Sequence, residues 1–430
     1  MMKSKIGVLV FPAGEINSIE LHDALATCVN IDLYGASSVD RHGEYVYKNY
    51  ISGLPRINEP TFIEELNQLI EEKNIRIIFP THDDVALFLA REKEKIRAQV
   101  LTSDYATALV CRDKKKTYEL FCGEDFCPQL FEEFSQVPVF IKPRVGQGGV
   151  GTKLIQKNAD IPWDIQLKNY VVCEYLPGNE MTVDCFTDIN GELQAVLPRS
   201  RQRVFNGVAV HAKEEKLTHE IKYIAENINK KLHFIGLWYF QIKQDSAGKY
   251  KLMEISTRCA GTMCMARAYG VNLPLLSVYA GLGIQTDVFS NQYELEVDRT
   301  LISRYKTNIC YESVYIDLDD TILINGKVHL PAMWFLYQCI NEQKRIILLT
   351  RHQVDHRDTV KEVLKQHCIS YELFCEVIEL SFEESKVSVI NPDNAIFIDN
   401  AYAERKEVHE KLHIPVFDVD GIEVLMDWRN

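Results

Sequence analysis

The sequence predicts a multidomain protein of mixed α/β and α+β class, with a doubly wound α/β domain first, an α+β section in the middle and a second parallel α/β domain last. Three observations carry this. Residues 1–105 alternate short apolar strands with helical spacings, residues 106–300 place glycine-rich turns between strands, and an apolar strand at 311–318 restarts the alternation for a domain over 308–430. A chain of 430 residues suits two to four domains of ordinary size.

In the first section, residues 6–11, 31–34 and 75–79 read as strands and 17–28, 62–72 and 83–91 as helices. Such βαβ alternation builds a parallel sheet. Asp83 and Asp84 open the third helix; capping its N-terminus is the expected role, with a ligand contact as the alternative. In the middle section the strands are 139–142, 171–175, 182–187, 193–198, 237–243 and 251–255, and the helices 117–121, 219–231 and 273–282, a pattern dominated by antiparallel sheet. In the last section, strands at 311–318, 346–349, 373–378 and 395–398 alternate with helices. The polar stretch 291–307 is the expected linker.

Composition narrows the function classes. Hydrophobic residues make up 46% and charged residues 25% of the chain, as in soluble globular proteins. A formal net charge of -13 argues against non-specific binding to nucleic acid or anionic membrane. No apolar run has the length of a membrane span, and the first, residues 6–11, is too short for a secretion signal. The twelve cysteines include no Cys-x-x-Cys pair, which points to reduced thiols in a cytoplasmic protein.

The first chemical signal is a strand, a glycine-rich loop and a second strand over 139–155, with Lys142 delivered before Gly146, Gly148, Gly149 and Gly151. Glycines let backbone N–H groups wrap phosphates, and Lys142 adds positive charge. The loop leads to a strand rather than a helix, so it is not a P-loop. Residues 171–180 follow at the spacing of an adenine-hinge strand. There Glu174 would accept from a purine amine, the backbone at Tyr175 and Leu176 would read the ring edge, and Glu180 would hold ribose hydroxyls. Gln241 and Glu254, on consecutive strands, are hard oxygen donors that suit Mg²⁺ shared with phosphates. Arg199, Arg201 and Arg203 alternate on one expected strand, which puts all three on the same face. A clamp for a carboxylate or phosphate is expected there, a solvated basic face being the alternative.

The second signal is Asp317 and Asp319 at the end of a buried strand. One such carboxylate can attack phosphorus while the other protonates the leaving oxygen and later activates water. Thr350 at a strand end, Lys386 on an expected helix and Asp399 at another strand end follow in order.

The first set resembles the ATP-grasp superfamily, most closely its carbamoyl phosphate synthetase large-chain branch, over roughly residues 5–285 including a pre-ATP-grasp α/β domain. The resemblance implies Lys114 and Lys142 as the two nucleotide-binding basic residues, Gln241 and Glu254 as the metal pair, and Arg258 at the transferred phosphoryl group. The family's Glu-x-Asn-x-Arg reads Glu254, Ser256 and Arg258 here, so a metal-binding Asn is replaced by Ser256. ATP and Mg²⁺, with Mn²⁺ as a substitute, are the implied cofactors. The implied reaction forms an acyl phosphate from a carboxylate and ATP, then lets an amine attack it. Many members dimerise, so a homodimer is compatible.

The second set resembles the haloacid dehalogenase (HAD) superfamily, a Rossmann-like fold, over about 311–430. By that resemblance Asp317 is the nucleophile and Asp319 the general acid/base. Thr350 and Lys386 bind the phosphoryl group, and Asp317, Asp399 and the Asp319 carbonyl hold Mg²⁺. Asn400 or Glu404 is the candidate for an outer metal contact. The short segments between motifs leave no room for a cap domain, so the preceding domain or a partner subunit is the expected shield. Together the resemblances imply a bifunctional enzyme, ligase and phosphatase, acting on small carboxylates, amines or phosphorylated metabolites. The alternatives are an ATP-grasp kinase and a nucleotide-binding regulatory module beside an active phosphatase, with capless nucleic-acid repair a remote fourth.

Overall fold

The computed structural model describes residues 5–134, 136–162, 165–205, 207–352 and 358–429. The chain divides into two compact units, Met1–Leu301 and Ile302–Asn430.

The first unit opens with β1 (Ile6–Phe11), α1 (Ile16–Leu25), β2 (Ile31–Ala36), β3 (Asn49–Ile51), α2 (Phe62–Glu72), β4 (Ile75–Pro80), α3 (Asp83–Arg91) and β5 (Gln99–Val100). These strands form a five-stranded parallel sheet in the order β3-β2-β1-β4-β5. Its strands are apolar on both faces because both are covered. Val8, Val10, Ile77 and Phe79 face one core, and Leu9, Phe11 and Ile78 face the other. In α2, Phe62, Leu66, Leu69 and Ile70 are buried at helical spacing, which docks one stripe on the sheet.

Next come α4 (Tyr105–Arg112), α5 (Lys114–Leu120), β6 (Leu130–Phe131), β7 (Val139–Pro143), β8 (Lys153–Ile155) and β9 (Tyr170–Glu174). An antiparallel sheet β6-β9-β7-β8 results. Then follow β10 (Glu180–Thr187), β11 (Leu193–Ser200), β12 (Arg203–Phe205), β13 (Val208–Lys213), α6 (His219–Lys231), β14 (Gly236–Gln244), β15 (Tyr250–Ser256), α7 (Cys264–Ala268), α8 (Leu273–Gly281) and β16 (Glu296–Asp298). The antiparallel sheet β11-β10-β14-β15 is central to the unit, and β12-β13-β16 forms a smaller one. The central sheet alternates except at a bulge in β15. Val183, Cys185, Trp238, Phe240, Ile242, Leu252 and Ile255 pack with Ile221, Ile224 and Ile228 of α6 on one face. The opposite face is apolar at Phe186, Ala195, Leu237 and Tyr239, which pack on the first core, and polar at Thr182, Asp184, Arg199, Gln241 and Glu254. One core cluster joins the parallel sheet to Phe186, Tyr239 and Met263, so the sections expected as 1–105 and 106–300 share a core. The expected linker at 291–307 contributes β16, which pairs with β13.

The second unit contains β17 (Ser313–Ile316), β18 (Leu323–Ile324), β19 (Lys327–Val328), α9 (Leu330–Asn341), β20 (Arg345–Thr350), α10 (Val360–Gln366), β21 (Glu376–Glu379), β22 (Ala395–Ile398), α11 (Tyr402–Leu412) and β23 (Val416–Phe417). Its main sheet is parallel, in the order β21-β20-β17-β22-β23. Val314, Ile316, Ile346, Leu348, Ile396 and Ile398 fill one side, and Tyr315, Ile347, Leu349 and Phe397 the other. Both units are thus mixed α/β. Among the described residues no helix is long and apolar enough to cross a membrane.

Candidate functional sites

The polar face of the central sheet carries a single row of side chains across four strands. Arg199 of β11 pairs in register with Thr182 of β10, Thr182 with Gln241 of β14, and Gln241 with Glu254 of β15. All four line a cavity of about 230 Å³, with Lys114, Gly146, Gly148, Arg201, Ser256 and Arg258 also in its wall. The register shifts after Gln241, where β15 bulges at Met253. The bulge frees the Met253 carbonyl, which accepts from Tyr118 Oη at 2.7 Å and from Lys142 Nζ at 3.4 Å. Lys142 also donates to Tyr118 Oη.

Lys114 Nζ lies 3.6 Å from Glu254 and donates to the Gly146 carbonyl at 3.0 Å. Burial holds its pKa below the ordinary lysine value, although Glu254 opposes the shift. The glycine loop sits close over the cavity. Gly207 has a φ of +79°, and a Cβ there would overlap the Gly148 backbone, so position 207 needs glycine.

Two arginines are fixed by carboxylates, that of Asp184 buried and that of Asp83 partly exposed. Arg199 donates to Asp184 from Nε at 2.7 Å and Nη2 at 3.2 Å, while its Nη1 is buried with no hydrogen-bond partner among the described residues. Arg258 donates to Asp83 from Nε at 2.9 Å and Nη2 at 2.8 Å, and to the Cys259 carbonyl from Nη1 at 3.1 Å. Ser256 Oγ donates to the same Asp83 at 2.9 Å. Burial by itself would raise the Asp83 pKa, but Arg258 and Ser256 outweigh it and bring it to about 2.

In the second unit, β17, β20 and β22 end together in the parallel sheet. Asp317 follows β17, Thr350 closes β20 and Asp399 follows β22. Lys386 Nζ donates to Asp317 at 2.7 Å and to Asp399 at 2.6 Å. One ammonium between two carboxylates leaves an excess negative charge, and burial together with Asp399 pushes the Asp317 pKa up despite Lys386. Thr350 Oγ1 is buried with no hydrogen-bond partner among the described residues. A surplus negative charge, with an unsatisfied hydroxyl at the end of the neighbouring strand, would suit a hard divalent cation with a bound phosphoryl group.

The family described as ATP-grasp in the biosynthetic pathway with Ter operon has a model that matches residues 166–301, which contain the whole central sheet. Among solved structures, the chain is similar to the biotin carboxylase domain of Hydrogenobacter thermophilus 2-oxoglutarate carboxylase, solved with MgADP, ADP and bicarbonate. The TM-score is 0.53 at 15% identity, covering 67% of this chain and 72% of that one. It is also similar to Staphylococcus aureus N5-carboxyaminoimidazole synthetase complexed with ADP, at TM-score 0.53 and 16% identity over 67% and 79% of the two chains. The Bacillus licheniformis L-amino acid ligase matches at TM-score 0.52 and 14% identity over 65% and 75%. No curated protein matches the chain. Residues 166–301 thus match an ATP-grasp model, and the first unit has an ATP-grasp-like fold.

Within the first unit the structure gathers Lys114, Gly148, Arg199, Arg201, Gln241, Glu254 and Arg258 around one cavity. Lys142, Gly149, Glu174, Tyr175, Leu176 and Glu180 are not in its wall. Glu174 accepts from the Gln129 N–H at 2.8 Å, Leu176 is buried, Tyr175 is exposed, and Glu180 is paired with Arg201 at 2.7 Å. Three expectations need correction. Arg203 does not share a face with Arg199 and Arg201, because β11 ends at Ser200 and Arg203 begins a strand of another sheet, where it pairs with Asp298 at 2.7 Å. Asp83 and Asp84 do not cap α3. His82 is the cap, its ring nitrogen accepting from the Asp84 N–H, and the two carboxylates hold Arg258 and Arg112 instead. Lys386 lies on a single 3₁₀ turn, Lys386–Ser388, rather than a helix, and Ser385 caps it. Glu404 is engaged by Arg351 at 3.2 Å, and Asn400 accepts from Thr321 at 3.4 Å. The role of Asp83 escaped the sequence reading, since its partner lies 175 positions away.

Proposed function

We propose that the ATP-grasp unit is an ATP-dependent carboxylate–amine ligase and the second unit a Mg²⁺-dependent phosphatase. The observation that carries the first reading is the row Arg199–Thr182–Gln241–Glu254 across one polar sheet face, with Lys114 at its end. Gln241 and Glu254 are adjacent oxygen donors on neighbouring strands, and Lys114 is the ammonium beside them. They would hold a divalent cation, which screens the phosphate charge of ATP. The solved neighbours named above include proteins holding MgADP or ADP and a ligase of L-amino acids. A substrate carboxylate oxygen attacks the γ-phosphorus and the bond to ADP breaks; an amine nitrogen then attacks the carbonyl carbon of the acyl phosphate, the C–O bond to phosphate breaks, and the amide forms as the amine gives up a proton and orthophosphate leaves. Lys142, Glu174, Tyr175, Leu176 and Glu180 belong to the proposed nucleotide side.

Donor counting picks the carboxylate anchor. A guanidinium has five N–H donors. Arg258 already spends three contacts on Asp83 and the Cys259 carbonyl, whereas Arg199, whose side chain lines the cavity, spends two on Asp184 and keeps a buried Nη1 without a hydrogen-bond partner among the described residues. Arg199 is therefore the anchor for the substrate carboxylate, and Arg258 faces the phosphoryl group.

In the second unit, Asp317 attacks phosphorus and Asp319 supplies and then removes the proton. Lys386 and Thr350 hold the phosphoryl oxygens, and Asp317, Asp399 and the Asp319 carbonyl would hold the cation that offsets their charge. The test is a screen of carboxylates and amines with purified protein, scoring ADP and amide product by mass spectrometry. ADP formed with a phosphorylated product and no amine dependence would sink the ligase reading. Glu254→Ala should abolish metal-dependent ATP turnover and leave aryl phosphate hydrolysis intact. Asp317→Asn should do the reverse, lowering phosphatase activity by at least about 10³-fold.

A further inference from the structure

Beside Asp319, the second unit holds a side chain that neither family pattern accounts for. His352 stands two residues after Thr350, and its ring is almost fully buried, at 6% exposure. Its Nδ1 lies 3.0 Å from Asp319 Oδ2 and 3.3 Å from Oδ1. Its Nε2 lies 3.2 Å from the Asp358 carbonyl, so both edges of the ring are held. The preceding residue is also anchored. Arg351 donates to the Ser381 and Phe382 carbonyls at 3.3 and 2.8 Å and pairs with Glu404. Asp319, by contrast, has a side chain 48% exposed and precedes Asp320, which turns the chain at a φ of 51°. A half-exposed aspartate on a turn retains rotamer freedom unless a neighbour removes it.

We propose that His352 is a positioning residue that fixes the Asp319 carboxyl for proton transfer. The assignment rests on the phosphatase reading above. In that reaction Asp317 Oδ forms a bond to phosphorus as the bond to the leaving oxygen breaks. The leaving oxygen takes the Asp319 proton. Water then attacks phosphorus, Asp319 takes the water proton, and the Oδ–P bond breaks to release orthophosphate. Asp319 is needed in proportion to the basicity of the leaving oxygen. An alkoxide needs its proton at the moment of cleavage, whereas a nitrophenolate leaves without it.

The experiment compares propyl phosphate with p-nitrophenyl phosphate in the full chain with Mg²⁺. His352→Leu is expected to slow propyl phosphate hydrolysis by about 100-fold and p-nitrophenyl phosphate hydrolysis by less than about 3-fold. His352→Asn places an amide near the former Nδ1 and should recover most of the propyl phosphate rate. A merely structural role would lower both rates in parallel. Equal losses on the two esters, or no loss on either, overturn the assignment. If the unaltered protein hydrolyses neither ester, or if Asp317→Asn leaves both rates unchanged, the phosphatase reading falls and takes this one with it.

Discussion

Asp83 sits at the N-terminus of α3 with its carboxylate against Arg258 and Ser256, and its pKa falls to about 2 from the ordinary 3.8. The folded pKa is depressed. The linked stability is therefore fully present above the unfolded value and is lost as pH falls from about 3.8 through 2. A shift of this size corresponds to about 2 kcal/mol. Urea titrations of the native protein and Asp83→Asn should differ by about that amount at pH 6 and converge near pH 2. A constant difference across that range would mean the carboxylate charge is not what holds Arg258. The same variant should lower the rate of phosphoryl transfer more than ATP affinity, read as kcat against KM for ATP, since Arg258 and not the nucleotide loses its support. Ser256 stands where the ATP-grasp pattern has Asn, and its hydroxyl is turned to Asp83. That substitution was legible in the sequence. Its meaning was not, because nothing local to residue 256 names a partner on α3.

At the scale of elements, alternation made the central sheet readable. Gln241 and Glu254 were legible as a pair because strands of period two place polar residues on one face. The break between β11 and β12 was not, since Arg199, Arg201 and Arg203 keep the alternation through the turn that separates two sheets. Lys386 was placed on a helix for a similar reason, as a single capped turn leaves little periodicity to read. Two predictions belong here. Asp184→Ala strips the carboxylate from the buried Arg199 and should cost about 3 kcal/mol in chemical denaturation, whereas the apolar double variant Asp184→Leu, Arg199→Met should recover much of the loss. Gly207→Ala puts a methyl group against Gly148 at a positive φ and should destabilise the first unit by about 2 kcal/mol, with weakened nucleotide binding measured by calorimetry.

At the scale of the molecule, the three-section rhythm of the sequence corresponds to two compact units, because hydrophobic contacts between the parallel sheet and the central sheet are invisible in local patterning. Residues 299–312 carry no helix or strand, and Leu301 and Ile302 are 98% and 68% exposed. Limited proteolysis should therefore cut first within 299–312 and release a C-terminal fragment that still hydrolyses p-nitrophenyl phosphate. First cleavage elsewhere, or an inactive fragment, would contradict that division. The row from Arg199 to Glu254 has a further consequence for how such a protein can vary. Each of its members belongs to a different strand, and every strand turns its alternate residues into the α6 core. Deleting one residue from β14 would carry Phe240 to the cavity side and a polar neighbour into the apolar core. Point changes can reshape the pocket, but insertions and deletions within these strands cannot. Lineages of this chain should therefore differ in length only outside the four strands, where the loops can lengthen without moving any member of the row.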